Sequence, residues 1–256
     1  MEGRPLEGQV GFVTGGGQGI GRAIALALSR AGAVVFVAAR GVDKLDEVVT
    51  ECGDGAVAVP LDVTDEDACA AAIAAAEREA GRLDILVNNA GVAESSPFLA
   101  TDTELWRRTM AINVEGPLWL TRAALPGMLE RGAGTVIGIA SLAARRGFAY
   151  VSAYTASKHA LLGMTRSLAV EYAASGVTFN CICPHYVDTP MTAATIDNIV
   201  AVTGRDRKAA RRALLTPQRR LVDPAEVAHV ALLLASPLGR GINGQAIDVD
   251  GGEYQG

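Results

Sequence analysis

Tyr154 and Lys158 stand four residues apart in Tyr154-Thr155-Ala156-Ser157-Lys158, a spacing that puts both side chains on one face of a helix. A free phenol ionises near pH 10 (about three units above neutrality), and a neighbouring ammonium favours its phenolate. The pair is therefore a candidate for moving a proton to or from a substrate oxygen. A second cluster, Thr14-Gly15-Gly16-Gly17-Gln18-Gly19-Ile20-Gly21, follows a short apolar run and leads directly into a helical pattern. Its glycines let the backbone turn sharply and approach a pyrophosphate, which then rests on exposed N–H groups and the positive helix end. An amphipathic edge and a tight connection are the plain alternatives for the two clusters taken singly. Cys181, Cys183 and His185 fall on alternate positions, so an extended strand points all three one way. A zinc site needs a fourth ligand, and the expectation here is packing thiols with no metal.

These groups need a scaffold. Near-continuous runs of Val, Ile, Phe and Ala predict strands over Gln9–Val13, Ala33–Ala38, Ala56–Pro60, Leu83–Asn88, Thr135–Ala140, Val177–Cys183 and Ala246–Val249, as strands covered on both faces require. Helical patterns fill the gaps at Gly19–Ala31, Val42–Cys52, Asp65–Ala80, Thr103–Ile112, Pro117–Arg131, Val151–Ala174 and Asp223–Ala235. Such alternation implies right-handed crossovers and an α/β fold, a doubly wound Rossmann-type parallel sheet with helices on both faces. No composition break marks a second domain within 1–256. Only Thr189–Leu221 escapes the rhythm. It is expected to be a substrate lid at the carboxyl edge of the sheet, where open α/β sheets bind ligands. It carries Arg205, Arg207, Lys208, Arg211, Arg212, Arg219 and Arg220.

Composition narrows the classes. Of 256 residues, 50% are hydrophobic and 20% charged, enough for one substantial core. The net charge of −5 gives no global field favouring nucleic acid or anionic lipid. Met1–Pro5 has no apolar signal region, and the apolar stretch from Ala23 to Ala39 is broken by Ser29-Arg30. Four cysteines without a CxxC pair fit reduced thiols. The reading is a soluble, cytoplasmic protein with no nucleic-acid or membrane partner.

With the motifs in order along the chain, the sequence resembles the compact branch of the short-chain dehydrogenase/reductase family. The resemblance rests on TGGGQGIG at 14–21, Asp62 in LDV, NNAG at 88–91, Asn113, Ser141 after the fifth strand, YTASK at 154–158, and the Pro184…Thr189 loop. It implies a nicotinamide dinucleotide held by Thr14, Gly15, Gly17, Gln18, Gly19 and Ile20. It further implies Asp62 and Val63 beside the adenine, and Asn89, Ala90 and Gly91 along the adenosine ribose. Tyr154, Lys158, Pro184, Val187 and Thr189 would hold the nicotinamide end. The second strand ends in Ala39-Arg40, without the acidic residue that would accept bonds from the ribose hydroxyls and repel a 2′-phosphate. NADP(H) is therefore expected, with Arg40 on the phosphate and NAD(H) as the alternative. Gln18 stands where NADP-preferring relatives often carry a basic residue.

By the same resemblance, Tyr154 exchanges a proton with the substrate oxygen, Ser141 hydrogen-bonds that oxygen, Lys158 acidifies the phenol jointly with the positive nicotinamide of the oxidised cofactor and holds the nicotinamide ribose, and Asn113 anchors a water relay. His185 replaces the glycine that usually follows the loop proline, so its side chain would narrow the pocket. The substrate would be a small carbonyl or secondary alcohol. The basic lid could meet phosphates of coenzyme A or an acyl carrier protein, which suggests a 3-oxoacyl or polyketide-type ketoreductase. The alternatives are an NAD(H)-dependent dehydrogenase of small alcohols, sugars or steroids, and a non-catalytic nucleotide-binding protein. A homotetramer is also implied.

Overall fold

The computed structural model describes residues 4–53 and 55–256. Seven strands, β1 (Val10–Thr14), β2 (Val34–Ala39), β3 (Ala56–Pro60), β4 (Ile85–Asn88), β5 (Gly134–Ile139), β6 (Val177–Pro184) and β7 (Ala246–Val249), form one sheet. All neighbours are parallel, in the order β3-β2-β1-β4-β5-β6-β7. The chain winds outward from β1 through β2 to β3, then returns to lay β4 on the other side of β1. At such a switch point the connections from adjacent strands diverge, which opens a crevice above their carboxyl ends.

Alternation within each strand supplies two cores. Val13, Val37 and Val87 face α1 (Gly19–Arg30), α2 (Val42–Cys52) and α9 (Pro224–Ala235). Phe12, Phe36 and Leu86 face α3 (Glu66–Ala80) and α5 (Gly116–Arg131) on the opposite side. Asp65 caps α3 by accepting from the Ala68 N–H, and Asp223 with Glu226 completes a capping box on α9. No helix among the described residues is long and apolar enough to cross a membrane.

One segment differs from the sequence reading. The break expected between helices near 113–116 is absent. Instead α4 (Thr103–Met110) runs into α5 through a π turn over Ala111–Glu115. Pro117 has no N–H to donate, and the helix passes the missing rung by widening. The 189–221 segment is two helices, α7 (Pro190–Thr203) and α8 (Arg207–Arg212). They close over their own small core of Ile196, Ala210, Leu214 and Leu221, against which Tyr186 packs. The remaining long helix, α6 (Ser152–Glu171), covers Cys181 and Cys183 of β6 with Leu161 and Leu162.

Candidate functional site

A cleft of about 1030 Å³ opens over the carboxyl ends of β1 and β4. Its floor is fastened by two side chains. The Thr14 hydroxyl accepts from the backbone N–H groups of Asn89 and Ala90, both at 3.0 Å, and donates to the Val87 carbonyl. The Asn89 amide returns the connection by donating to the Thr14 carbonyl at 2.8 Å and the Gly15 carbonyl at 3.2 Å. Thr14 is buried beneath the turn and is not among the residues that line the cleft. Its hydroxyl is fully occupied in tying β1 to β4.

Above this floor the glycine turn is shaped for a close-lying ligand. Gly15 and Gly19 have φ of +62° and +56°, conformations that glycine adopts without strain. A Cβ on Gly19 would meet the Thr189 methyl at 3.1 Å, so the turn and the start of α7 face one another closely. Gln18, the N-cap of α1, makes no capping hydrogen bond with its side chain. The first N–H groups of α1 consequently lack a side-chain partner, as an anion-binding helix terminus requires. The residues present fit the diphosphate of a dinucleotide.

Every other residue expected to touch the cofactor lines this cleft: Gly15, Gly17, Gln18, Gly19, Ile20, Arg40, Asp62, Val63, Asn89, Ala90, Gly91, Tyr154, Lys158, Pro184, Val187 and Thr189. Asp62 accepts from the Thr64 N–H at 3.0 Å and hydroxyl at 2.8 Å, and those bonds hold its carboxyl below the usual range, with Arg40 adding to the effect. One cation escaped the sequence reading. Lys44, one turn into α2, lines the cleft and donates to the Gln18 amide oxygen at 2.6 Å. Lys44 thereby sets an ammonium beside position 18, and the only clue in the sequence was a lysine four residues beyond Arg40.

Tyr154, Lys158 and Ser141 line the opposite end. The Lys158 ammonium lies 5.6 Å from the Tyr154 ring centroid, is buried, and donates to the Ile139 carbonyl at 2.8 Å. Ser141 caps a short turn by accepting from the Ala143 N–H at 3.1 Å. Asn113 is buried at the π turn. It donates to the Val92 carbonyl and to the Ser157 hydroxyl and accepts from the Val92 N–H, each at 2.9 Å. Ser157 in turn donates to the Tyr154 carbonyl at 2.7 Å. Asn113 thereby braces both the β4 loop and the start of α6 and makes no hydrogen bond to Lys158. π turns recur at functional sites because they re-aim one side chain of a helix. Ser157 had no distinguishing signal in the sequence.

Burial dominates the electrostatics that the protein's own groups give this end. Burial pushes Tyr154 up to about 12, and the neighbouring Ser141 hydroxyl pulls it only partly back. Burial also lowers Lys158 from 10.5 to about 8. Removing both groups from water disfavours their charged forms, and the lysine alone does not reverse this for the tyrosine. A stability signature follows. The unfolded chain keeps the Lys158 proton up to about 10.5, whereas the folded one releases it near 8, so stability rises with pH through that window. Denaturant unfolding of the parent minus that of Lys158→Met should gain about 1 kcal/mol per pH unit above pH 8 (roughly 2.303RT at the limit). A flat difference would mean that the ammonium is not buried.

His185 follows Pro184 at ordinary backbone angles, since it is absent from the positive-φ residues. Its ring packs edge-on against Tyr186 at 5.1 Å and forms part of the cleft wall, as expected for a side chain that narrows the pocket. Burial lowers its pKa, which favours the neutral ring. The seven basic residues of 189–221 are elsewhere. None lines the cleft, and Arg207 and Arg220 are paired with Asp197 and Glu226.

A switch-point crevice with a helix terminus open to a diphosphate and a phenol beside an ammonium defines a dinucleotide-dependent oxidoreductase of Rossmann type. A family model described as enoyl-(acyl carrier protein) reductase matches residues 15–253. Galactitol 2-dehydrogenase (L-tagatose-forming) of Cereibacter sphaeroides is 39% identical over 254 residues, covering 96% of this chain and 95% of that protein. The 3-oxoacyl-(acyl-carrier-protein) reductase FabG of Vibrio harveyi is 35% identical over 252 residues, covering 97% and 98%. The crystal structure of levodione reductase superposes with a TM-score of 0.91 at 28% identity, covering 96% of this chain and 98% of that one. The chain belongs to the short-chain dehydrogenase/reductase family and is an oxidoreductase acting between hydroxyl and keto groups.

Proposed function

We propose that the chain is an NADP(H)-dependent reductase of neutral ketones, with Tyr154 as proton donor to the carbonyl oxygen. The observation that carries this is the Tyr154 phenol, lining the cleft with Ser141 and with the buried Lys158 ammonium 5.6 Å from its ring centroid. Such a phenol is an acid ready to meet the charge that develops on a reduced oxygen. When bound, the nicotinamide supplies the hydride for the carbon. Ser141 donates a second hydrogen bond to the same oxygen. Lys158 holds the ribose hydroxyls and lends its charge to the phenol when the proton has left. Asn113 keeps Val92 and Ser157 in register and acts as a positioning residue. Arg40 and Lys44 give the adenosine end two cations for a 2′-phosphate, and this supports NADP(H) over NAD(H) despite the carboxylate of Asp43 nearby.

The substrate end favours an uncharged molecule. Its wall includes Ser95, Phe148, Tyr150, His185 and Met191 and, apart from Lys158, carries no lysine or arginine. A 3-oxoacyl thioester is the second reading, supported by the FabG relative. Its carrier phosphates would have to meet the exposed arginines of α8 outside the cleft. Trp106 and Leu118 leave apolar surface on α4 and α5, which supports docking of this helix pair against another copy in a homotetramer.

Initial rates with NADPH separate the readings. The expected result is a kcat/KM for a compact cyclic ketone at least about tenfold above that for acetoacetyl-CoA, a difference of about 1.4 kcal/mol in transition-state binding. A preference for acetoacetyl-CoA that disappears on replacing Arg211 and Arg212 would establish the thioester instead. Absence of NADPH oxidation with either compound would remove the reductase assignment.

A further inference from the structure

Tyr150 has φ +67°. A bulky side chain in the left-handed region crowds the following carbonyl, so non-glycine residues there need a reason. Arg219, the other non-glycine case among the described residues, is the corner of a tight turn whose N–H donates to the Thr216 carbonyl at 2.7 Å. For Tyr150 the turn gives no such reason for a side chain. Its carbonyl accepts from the Ser96 N–H at 2.7 Å, tying together the two loops that flank the cleft mouth. That backbone bond would form equally well with glycine, which adopts this φ freely. Packing does not offset the strain either, because Tyr150 is 68% exposed.

What the side chain does is line the cleft. Nearby on the same wall, Phe148 already lies under the Arg146 guanidinium at 4.8 Å, whereas Tyr150 has no aromatic or cationic partner among the described residues. Met191 and Val202 bring further exposed apolar surface to this wall. Strained residues persist where function fixes them, and an exposed ring in a binding cleft is suited to stacking. We propose that Tyr150 is a specificity residue whose ring forms an apolar platform at the cleft mouth for a flat ring carried by the ketone substrate. This rests on the ketone-reductase reading above.

Replacing Tyr150 by Gly separates the strain from the platform. Tyr150→Gly should keep or raise Tm, by up to about 4 °C, because the backbone is relieved. It should also lower kcat/KM for α-tetralone about 5–10-fold while changing that for butanone less than about twofold. Tyr150→Phe should retain the preference for α-tetralone. Calorimetric titration of α-tetralone into the NADP-loaded protein reads the same platform without turnover, with the expected weakening in Tyr150→Gly alone. Equal losses for both ketones, a lower Tm in Tyr150→Gly, or a Tyr150→Phe variant as impaired as Tyr150→Gly would overturn the proposal. Undiminished calorimetric binding in Tyr150→Gly would do the same. Intact ring binding in the parent without any NADPH oxidation would instead uphold the platform and defeat the reductase reading.

Discussion

Tyr154→Phe should lower kcat with NADPH and a cyclic ketone by about 10³-fold, within the range set by loss of a positioned general acid, while NADPH affinity stays within about twofold. The substitution keeps the ring and its packing and removes only the hydroxyl. Ser141 retains its own O–H, so the substrate oxygen still finds one donor, but no group is left to surrender a proton to it. Lys158 cannot substitute. Its ammonium is already donating to the Ile139 carbonyl at 2.8 Å, and it lies beneath the ring rather than in its place. Fluorescence titration with NADPH and single-turnover absorbance measure the two quantities separately. Near-normal turnover in Tyr154→Phe would sink the assignment, whereas joint loss of binding and turnover would point to a collapsed site.

Arg40→Asp should shift the ratio of kcat/KM for NADPH over NADH downward by about 10²-fold. A guanidinium facing a phosphate makes charge-assisted bonds that the ribose hydroxyls of NADH do not require, and an aspartate there would repel the phosphate while accepting from those hydroxyls. The loss is bounded because Lys44 remains, fixed on Gln18 at 2.6 Å. Lys44→Ala alone should therefore move the ratio in the same direction by a smaller factor, about fivefold. Both residues are exposed, so the preference of the parent should weaken as salt rises. Rates measured with each cofactor at low and high ionic strength test this, and a ratio indifferent to Arg40 would show that the phosphate is held elsewhere.

Much of this molecule was legible in its one-dimensional pattern, because the signals are local. Runs of branched residues reproduced the seven strands to within a residue or two at most ends, and the buried parallel sheet requires such runs. The glycine turn could be read because a sharp strand-to-helix connection constrains residue type at adjacent positions. Tyr154 and Lys158 could be paired because helical geometry fixes what lies four residues apart.

Groups that meet only through the fold were not legible. Thr14 resembles a cleft residue until Asn89 and Ala90, some 75 residues away, take up its hydroxyl. Lys44 reaches Gln18 across the gap between two helices. The basic residues of 189–221 form a conspicuous run in sequence, yet the small core of Ile196, Ala210 and Leu214 turns them away from the cleft. The phenol's acidity depends on burial, which no spacing encodes. Composition and periodicity determined the sheet, the nucleotide turn and the tyrosine–lysine face, since each depends on neighbours along the chain. Tertiary packing decided the direction of every long side chain and the solvation of every charge, because both depend on atoms contributed by distant segments.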